Sequence, residues 1–205
     1  MHKKDLEIFL SGVGFFSRPR VQLEQYPTPA HIAADLLWNA HQKGHVEGKI
    51  IADLACGTGI FGIGALFLGA KKVYFVDIDK EALTLAKENL AKLRAKIPLG
   101  CLSSFSCTSV DNFSHKVDVV FQNPPFGVQE THADRIFLET AFSHAALVYS
   151  FHKFSTKKFL ETFAEQHGFS VLEVYRYAFP LKAQFFFHTS KSKSIDVGCW
   201  CFRKN

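Results

Sequence analysis

The run from 49 to 79, KIIADLACGTGIFGIGALFLGAKKVYFVDID, narrows the possible folds most. A short apolar stretch meets three glycines, then an apolar segment of helical length, then a β-branched stretch ending in acids. Strand, glycine turn, helix and strand in that order make a βαβ unit, and its two strands must lie parallel. The next segment, KEALTLAKENLAKLRAKI, carries Ala82, Leu85, Ala86, Leu90 and Leu93 at helical spacing. Further strands are expected at 102–107, VDVVFQ and ALVYSF, with helices near 135–143 and 156–167. The tail alternates as SVLEVYRYAF and SIDVGCWCF, which predicts an antiparallel hairpin at a sheet edge. Before Lys49, KDLEIFLSGV reads as a helix, SRPRVQLEQYPTP as a proline-punctuated loop, and AHIAADLLWNAHQKG as a second helix stopping at Gly44. The pattern predicts one domain over 1–205, with a helical segment and loop over 1–48 and an α/β core, Rossmann-like and mostly parallel, over 49–205.

At 205 residues the chain suits a single domain with a full core. Its five cysteines are odd in number and form no C-x-x-C pair, which argues against a disulfide framework or a zinc knuckle. Cys199 and Cys201 alternate on a strand and read as buried thiols, and no metal site is expected. With no signal-peptide pattern and no apolar run near the ~20 residues of a membrane span, a reducing cytoplasmic or nuclear location follows. A net charge of +5 and 10 His are compatible with a nucleic-acid partner without specifying one.

Gly57, Gly59 and Gly62 fit G-x-G-x-x-G, and Asp77 stands at the end of the next strand. That arrangement suits a dinucleotide, or simply a tight turn with close helix packing. Asp53, placed just before the glycines, would repel a diphosphate. A phosphate-free adenosine sulfonium, with a cationic centre and an α-amino group, would instead be favoured there, with Asp77 on both ribose hydroxyls. The expected cofactor is S-adenosyl-L-methionine (SAM), with NAD as the alternative.

A second site follows VDVVFQ. The tetrad NPPF, Asn123 to Phe126, puts two stiff prolines behind an amide and before an aromatic ring. The lone pair of an exocyclic amine is delocalised into its ring. Two acceptors on its N–H bonds, the Asn123 side-chain oxygen and the Pro124 carbonyl, would draw the nitrogen toward tetrahedral geometry. Proline holds that carbonyl rigidly and supplies no competing N–H. Phe126 would offer a stacking face worth about 1–3 kcal/mol. A base in a duplex cannot reach such a corner, so the substrate would be unpaired or flipped. A proline-rich turn with Phe126 in the core is the plain structural alternative.

DLACGTG, VDID and NPPF together resemble the class I SAM-dependent methyltransferases that modify exocyclic amines, a superfamily with a seven-stranded sheet ending in an antiparallel hairpin. LEQYPTP, YSFHKFST and KSKSIDV extend the likeness along nearly the whole chain, to the methyltransferase-like-five family of small-subunit rRNA adenine N6-methyltransferases and its archaeal relatives. The resemblance implies that Gln25, Tyr26 and Thr28 cover cofactor and catalytic loop. Asp53, Ala55, Cys56, Gly57 and Gly59 would surround the methionine part, with Asp77 on the ribose and Ile78 beside the adenine. Asn123, Pro124, Pro125 and Phe126 would hold the target adenine. One departure stands out: TSVDNF puts Ser109, beside Val110, where the family usually has an Asp for the cofactor's amine, and Asp111 lies two positions on. Cofactor affinity is the quantity this would change.

The resemblance also implies a small zinc-binding activator as partner. For RNA, the candidates are Arg18, Arg20, His152, Lys153, Lys157, Lys158, Lys182, Lys191 and Lys193, in stretches that interleave cations with aromatics. A solvated basic face, and for His152 and Lys153 a polar strand end, would explain the same residues. Protein glutamine methylation, DNA adenine methylation and non-catalytic binding remain alternative uses of the same motifs.

Overall fold

The computed structural model describes residues 2–16, 20, 24–98, 100–126, 133–181 and 193–205. Two helices, α1 (Lys3–Leu10) and α2 (Ala30–Gln42), precede β1 (Ile50–Leu54), α3 (Ile60–Phe67), β2 (Lys72–Asp77), α4 (Lys80–Leu93) and β3 (Leu102–Cys107). After β4 (Val119–Gln122) come α5 (Ala133–His144), β5 (Leu147–Lys153), α6 (Lys157–Gln166), β6 (Phe169–Leu181) and β7 (Lys193–Lys204). Among the described residues no helix is long and apolar enough to cross a membrane.

The strands form one seven-stranded sheet in the order β3-β2-β1-β4-β5-β7-β6. β1 to β5 pair in parallel, while β7 runs antiparallel to both β5 and β6. The mostly parallel sheet and terminal hairpin anticipated from the sequence are therefore present. Helices cover both faces, which is why β1 and β4 are almost wholly apolar. One core lies between the sheet and α1, α2 and α3, around Leu6, Leu37, Phe75 and Phe121; the other lies under α5 and α6, around Phe142, Phe163 and Trp200. α1 and α2 thus share a core with the sheet. β3 is an edge strand reading LSSFSC, and its polar, partly exposed face explains its faint sequence signal.

Two features place the site. From β1 the chain works outward to β3, then returns to start β4 on the other side of β1. That reversal opens a crevice at the carboxyl ends of β1 and β4. In addition, α3 presses hard onto β2 at Gly62, where a Cβ would come within 2.3 Å of the Phe75 ring. Only a residue without a side chain lets the helix start so close to the strands.

Candidate active site

A cavity of about 400 Å³ occupies the crevice. Its first wall is the loop after β1, where Ala55 (φ 53°), Gly57 (φ 53°) and Gly59 (φ 80°) are left-handed. For alanine that conformation is strained, and such strain collects at functional sites. Ala55, Cys56 and Gly57 line the cavity. Burial pushes the Cys56 thiol well up, so it remains protonated.

Asp53 and Gly59, expected beside the methionine part, do not line the cavity; they support the loop from below. Gly59 faces the core, where a Cβ would lie 3.1 Å from Ala86. Asp53 is 1% exposed, and its Oδ2 accepts the Gly62 N–H at 2.8 Å. Its Oδ1 has no partner among the described residues. Desolvation, with Asp77 nearby, raises this carboxyl well above its ordinary range, against the opposing effect of the Gly62 bond.

Asp77 ends β2 on the cavity wall. It accepts the Gly57 N–H at 2.8 Å and the Asp79 N–H at 2.9 Å, one on each oxygen. Besides these and a backbone bond from Ile78, the carboxylate's four acceptor positions leave room for a further donor, as a ribose hydroxyl is. Ile78 beside it is 62% exposed, an apolar surface that a flat ring would cover. Ser109 and Val110 complete this side with Thr108. Ser109 opens a short 3-10 turn without a side-chain capping bond, and Asp111 is exposed and off the wall.

The opposite wall comes from the strap before α2 and the loop after β4. Gln25, Tyr26 and Thr28 all line the cavity, as do Asn123 and Pro125. Gln25 Nε2 donates to Asp79 Oδ2 at 2.7 Å, fastening the strap two residues from Asp77. Asn123 Nδ2 donates to Thr28 Oγ1 at 3.0 Å. Asn123 Oδ1 is buried and has no partner among the described residues. Its amide has committed a donor and left its acceptor bare, an expensive state unless a ligand donor completes it.

Pro124 is buried and off the wall. The Phe126 ring is also off the wall, edge-on to Phe179 with centroids 6.3 Å apart. Its expected stacking face is thus turned toward the core. The Phe126 N–H is gripped by Glu24 Oε2 at 2.6 Å.

Beneath this loop runs a buried polar chain. Gln122 Nε2 donates to Ser150 Oγ at 2.9 Å, and Ser150 Oγ shares a hydrogen bond with His152 Nε2 at 2.7 Å. His152 is 3% exposed and packs edge-on to Trp200, and burial pushes its pKa down to about 3. The expectation that His152 meets RNA is therefore corrected: a neutral, enclosed ring offers no surface to a phosphate. Arg20 is corrected too. Its guanidinium pairs with Asp79 at 3.3 Å and Glu81 at 2.9 Å, and its backbone N–H donates to Gln25 Oε1 at 2.8 Å. It braces the strap.

Lys153 ends β5, at the same end of the sheet as Asn123, and Lys157 and Lys158 open α6 just beyond. Both α6 lysines are exposed, Lys157 loosely paired with Glu161 at 3.8 Å. Lys193 starts β7, while Arg18, Lys182 and Lys191 lie outside the described residues. The sequence reading missed Phe16, Glu24, Thr58, Thr108, Ile136 and Phe137 on the cavity wall. Glu24 sits inside the LEQYPTP segment already singled out. Ile136 and Phe137 belong to an unremarkable helical pattern, and nothing local marks them.

The reversed strand order, left-handed glycine loop and acid-tipped second strand define a Rossmann-like nucleotide-binding fold, and its relatives make it a class I SAM-dependent methyltransferase. Comparison with known proteins narrows the class. The family model described as Conserved hypothetical protein 95 matches residues 24–168. The rRNA N(6)-adenosine-methyltransferase METTL5 of Danio rerio is 35% identical over 201 residues, covering 96% of each chain. Its Drosophila melanogaster counterpart is 34% identical, covering 97% of this chain and 95% of its own. The crystal structure of PH1948 from Pyrococcus horikoshii superposes with a TM-score of 0.89 at 43% identity, over 100% of this chain and 98% of that one. The chain therefore belongs to the Conserved hypothetical protein 95 family and to the METTL5 family of methyltransferases.

Proposed function

We propose that the protein methylates N6 of an unpaired or flipped adenine in RNA, the substrate being small-subunit ribosomal RNA, in the cytoplasm. The observation that carries this reading is Asn123 Oδ1, a buried acceptor with no partner among the described residues, while the other end of the same amide is bound to Thr28. An acceptor held this way selects a donor, as an exocyclic amine is and a carbonyl is not. The names of the METTL5 relatives support adenine in rRNA as that donor.

The residues fit SAM. Asp77 would take the ribose hydroxyls, Ile78 the adenine ring and Ser109 its amine, while Ala55, Cys56, Gly57 and the strap enclose the methionine part. SAM supplies the electrophilic methyl group. Asn123 Oδ1 accepts one N–H bond of the target amine, and the Pro124 carbonyl, off the wall in the free protein, would accept the other once substrate draws the corner in; together they turn the amine's lone pair out of conjugation. No general base is needed before transfer, because the amine can lose its proton to water once it has become cationic. Most of the acceleration is orientation. Phe126 stacks on the base only if its ring leaves Phe179, a movement that substrate binding would drive. Lys153, Lys157 and Lys158 are placed to receive the RNA backbone on the cavity end of the sheet. A small zinc-binding activator is the expected partner.

The test is transfer of radiolabelled methyl from SAM to unmodified small-subunit rRNA, with and without the activator, followed by nucleoside separation. Label in N6-methyladenosine, lost with Asn123→Ala, is the expected result. Label on the glutamine of a release factor instead, with none in RNA, would overturn the RNA assignment.

A further inference from the structure

Glu24 is an unexpected residue for its place. Its backbone is left-handed, φ 46°, where glycine or asparagine is at ease and a long side chain is uncommon. Its side chain lies in the cavity wall and the residue is 8% exposed, although an ionised carboxylate resists burial unless hydrogen-bonded. A glycine would make the turn without strain and a glutamine would accept a hydrogen bond without charge. The residue present combines the strained conformation with the charged acceptor, and that acceptor reaches 102 positions along the chain to the Phe126 N–H, 2.6 Å away.

The proline pair explains why that particular N–H matters. Pro124 and Pro125 have no backbone donor, so the first N–H after Asn123 belongs to Phe126. It is the first point at which hydrogen bonding can grip the NPP backbone from its far side. Asn123 is held by Thr28 at the near side, through its amide. The strap spanning Glu24 to Thr28 therefore holds both ends of the catalytic corner, and Gln25 and Arg20 hold the strap to Asp79.

We propose that Glu24 is a positioning residue: its carboxylate fixes the Phe126 N–H and thereby sets the Pro124 carbonyl against the Asn123 amide. The inference rests on the reading of Asn123 and Pro124 as the amine clamp. A charge-assisted hydrogen bond is shorter and stronger than a neutral one, which suits a corner whose prolines offer no N–H to hold.

Glu24→Gly and Glu24→Gln, made in the full chain, separate grip from fold. Glycine tolerates φ 46° and removes the acceptor; glutamine keeps an acceptor oxygen at the same reach. With the rRNA assay, Glu24→Gly should lower kcat roughly 10–100-fold, the scale of a misplaced reacting group. SAM affinity should stay within about threefold by titration, with the melting temperature undiminished. Glu24→Gln should recover most of kcat. The inference is overturned if Glu24→Gly keeps its kcat, if its loss only parallels lost SAM affinity and melting temperature, or if Glu24→Gln is as slow as Glu24→Gly. Should the wild type transfer nothing to RNA, the clamp reading fails. The grip is then judged by the Phe126 amide proton, whose NMR shift should lie downfield in the wild type and move upfield in Glu24→Gly. An unmoved shift would sink it.

Discussion

The two walls of the cavity are built by different means. On the cofactor side the walls are strand ends and the turns that follow them: Ala55 to Gly57 after β1, Asp77 and Ile78 at β2, Thr108 to Val110 after β3. Each piece is local, and neighbouring strands set its height. On the side we assign to the substrate, Asn123 and Pro125 follow β4, and the side-chain hydrogen bonds holding this corner among the described residues come from far along the chain, Thr28 on Asn123 and Glu24 on the Phe126 N–H. A parallel sheet thus supplies the first wall almost automatically, whereas the corner proposed as the amine clamp is held by long-range polar bonds.

That difference can be pressed experimentally. The largest effect is expected from Asn123→Ala, which removes an acceptor that only the substrate completes. kcat should fall on the order of 10²–10³-fold, as for loss of one preorganised polar group. SAM affinity should stay within a few-fold, because the cofactor wall is separately supported. Parallel loss of both in a binding titration would show the walls to be one unit.

Gly62→Val probes the cofactor wall's own support. With its Cβ 2.3 Å from the rigid Phe75 ring, the variant should lose about 3 kcal/mol or more, lowering the melting temperature by roughly 6–12 °C. A thermal melt within two degrees of wild type would mean that α3 is free to lift from β2.

pH separates the walls by sign. His152, with its folded pKa down at about 3, is neutral in the fold but takes a proton once unfolded below about 6.5. Its contribution is therefore lost as pH falls from about 6.5 toward 3, by at most about 1.4 kcal/mol per pH unit. Asp53 works the other way. Its raised folded pKa means that burial destabilises the fold above the unfolded value, and acidification relieves this. Asp53→Asn, which keeps an oxygen for the Gly62 N–H, removes the compensating proton uptake. Denaturant titrations from pH 7 to 4 should show the variant losing stability more steeply than wild type; equal slopes would contradict the assignment.

The smallest effect concerns RNA. Replacing Lys157 and Lys158 together by alanine should reduce the log–log salt slope of RNA binding by about 1.4–1.8, at roughly 0.7–0.9 per phosphate contact. Arg20→Ala should leave that slope alone and weaken SAM a few-fold, because its partners Asp79 and Glu81 are part of the protein. A changed slope with Arg20→Ala would return that residue to the RNA.

What could be read in advance follows the same division. DLACGTG and VDID locate a strand, a turn and a carboxylate within 25 residues, and the structure puts Gly57 and Asp77 2.8 Å apart. Even the faint edge strand falls at 102–107 as the sequence suggested. Reading by residue type failed where the deciding partner is remote. Arg20 looks like a phosphate ligand until Asp79 is beside it, and His152 looks like an entrance residue until it is found buried beside Trp200. Asp53 reads as a ligand group because acids near a cation are favourable, yet it lies off the cavity wall and one of its oxygens takes the Gly62 N–H. Chemistry is legible from one residue; who reaches it first is a property of the packed chain.

The order of the last strands bears on how the molecule is made. β7, the final strand, lies between β5 and β6, so the edge of β5 stays unpaired until residues 193–204 arrive. During synthesis the cofactor crevice, composed of earlier strands, can assemble on the ribosome while the open β5 edge still faces outward. Trp200 and Phe202, on that same final strand, complete the second core. The β5 edge is therefore open to wrong pairing over the interval between Lys153 and Lys193, and β7 closes it.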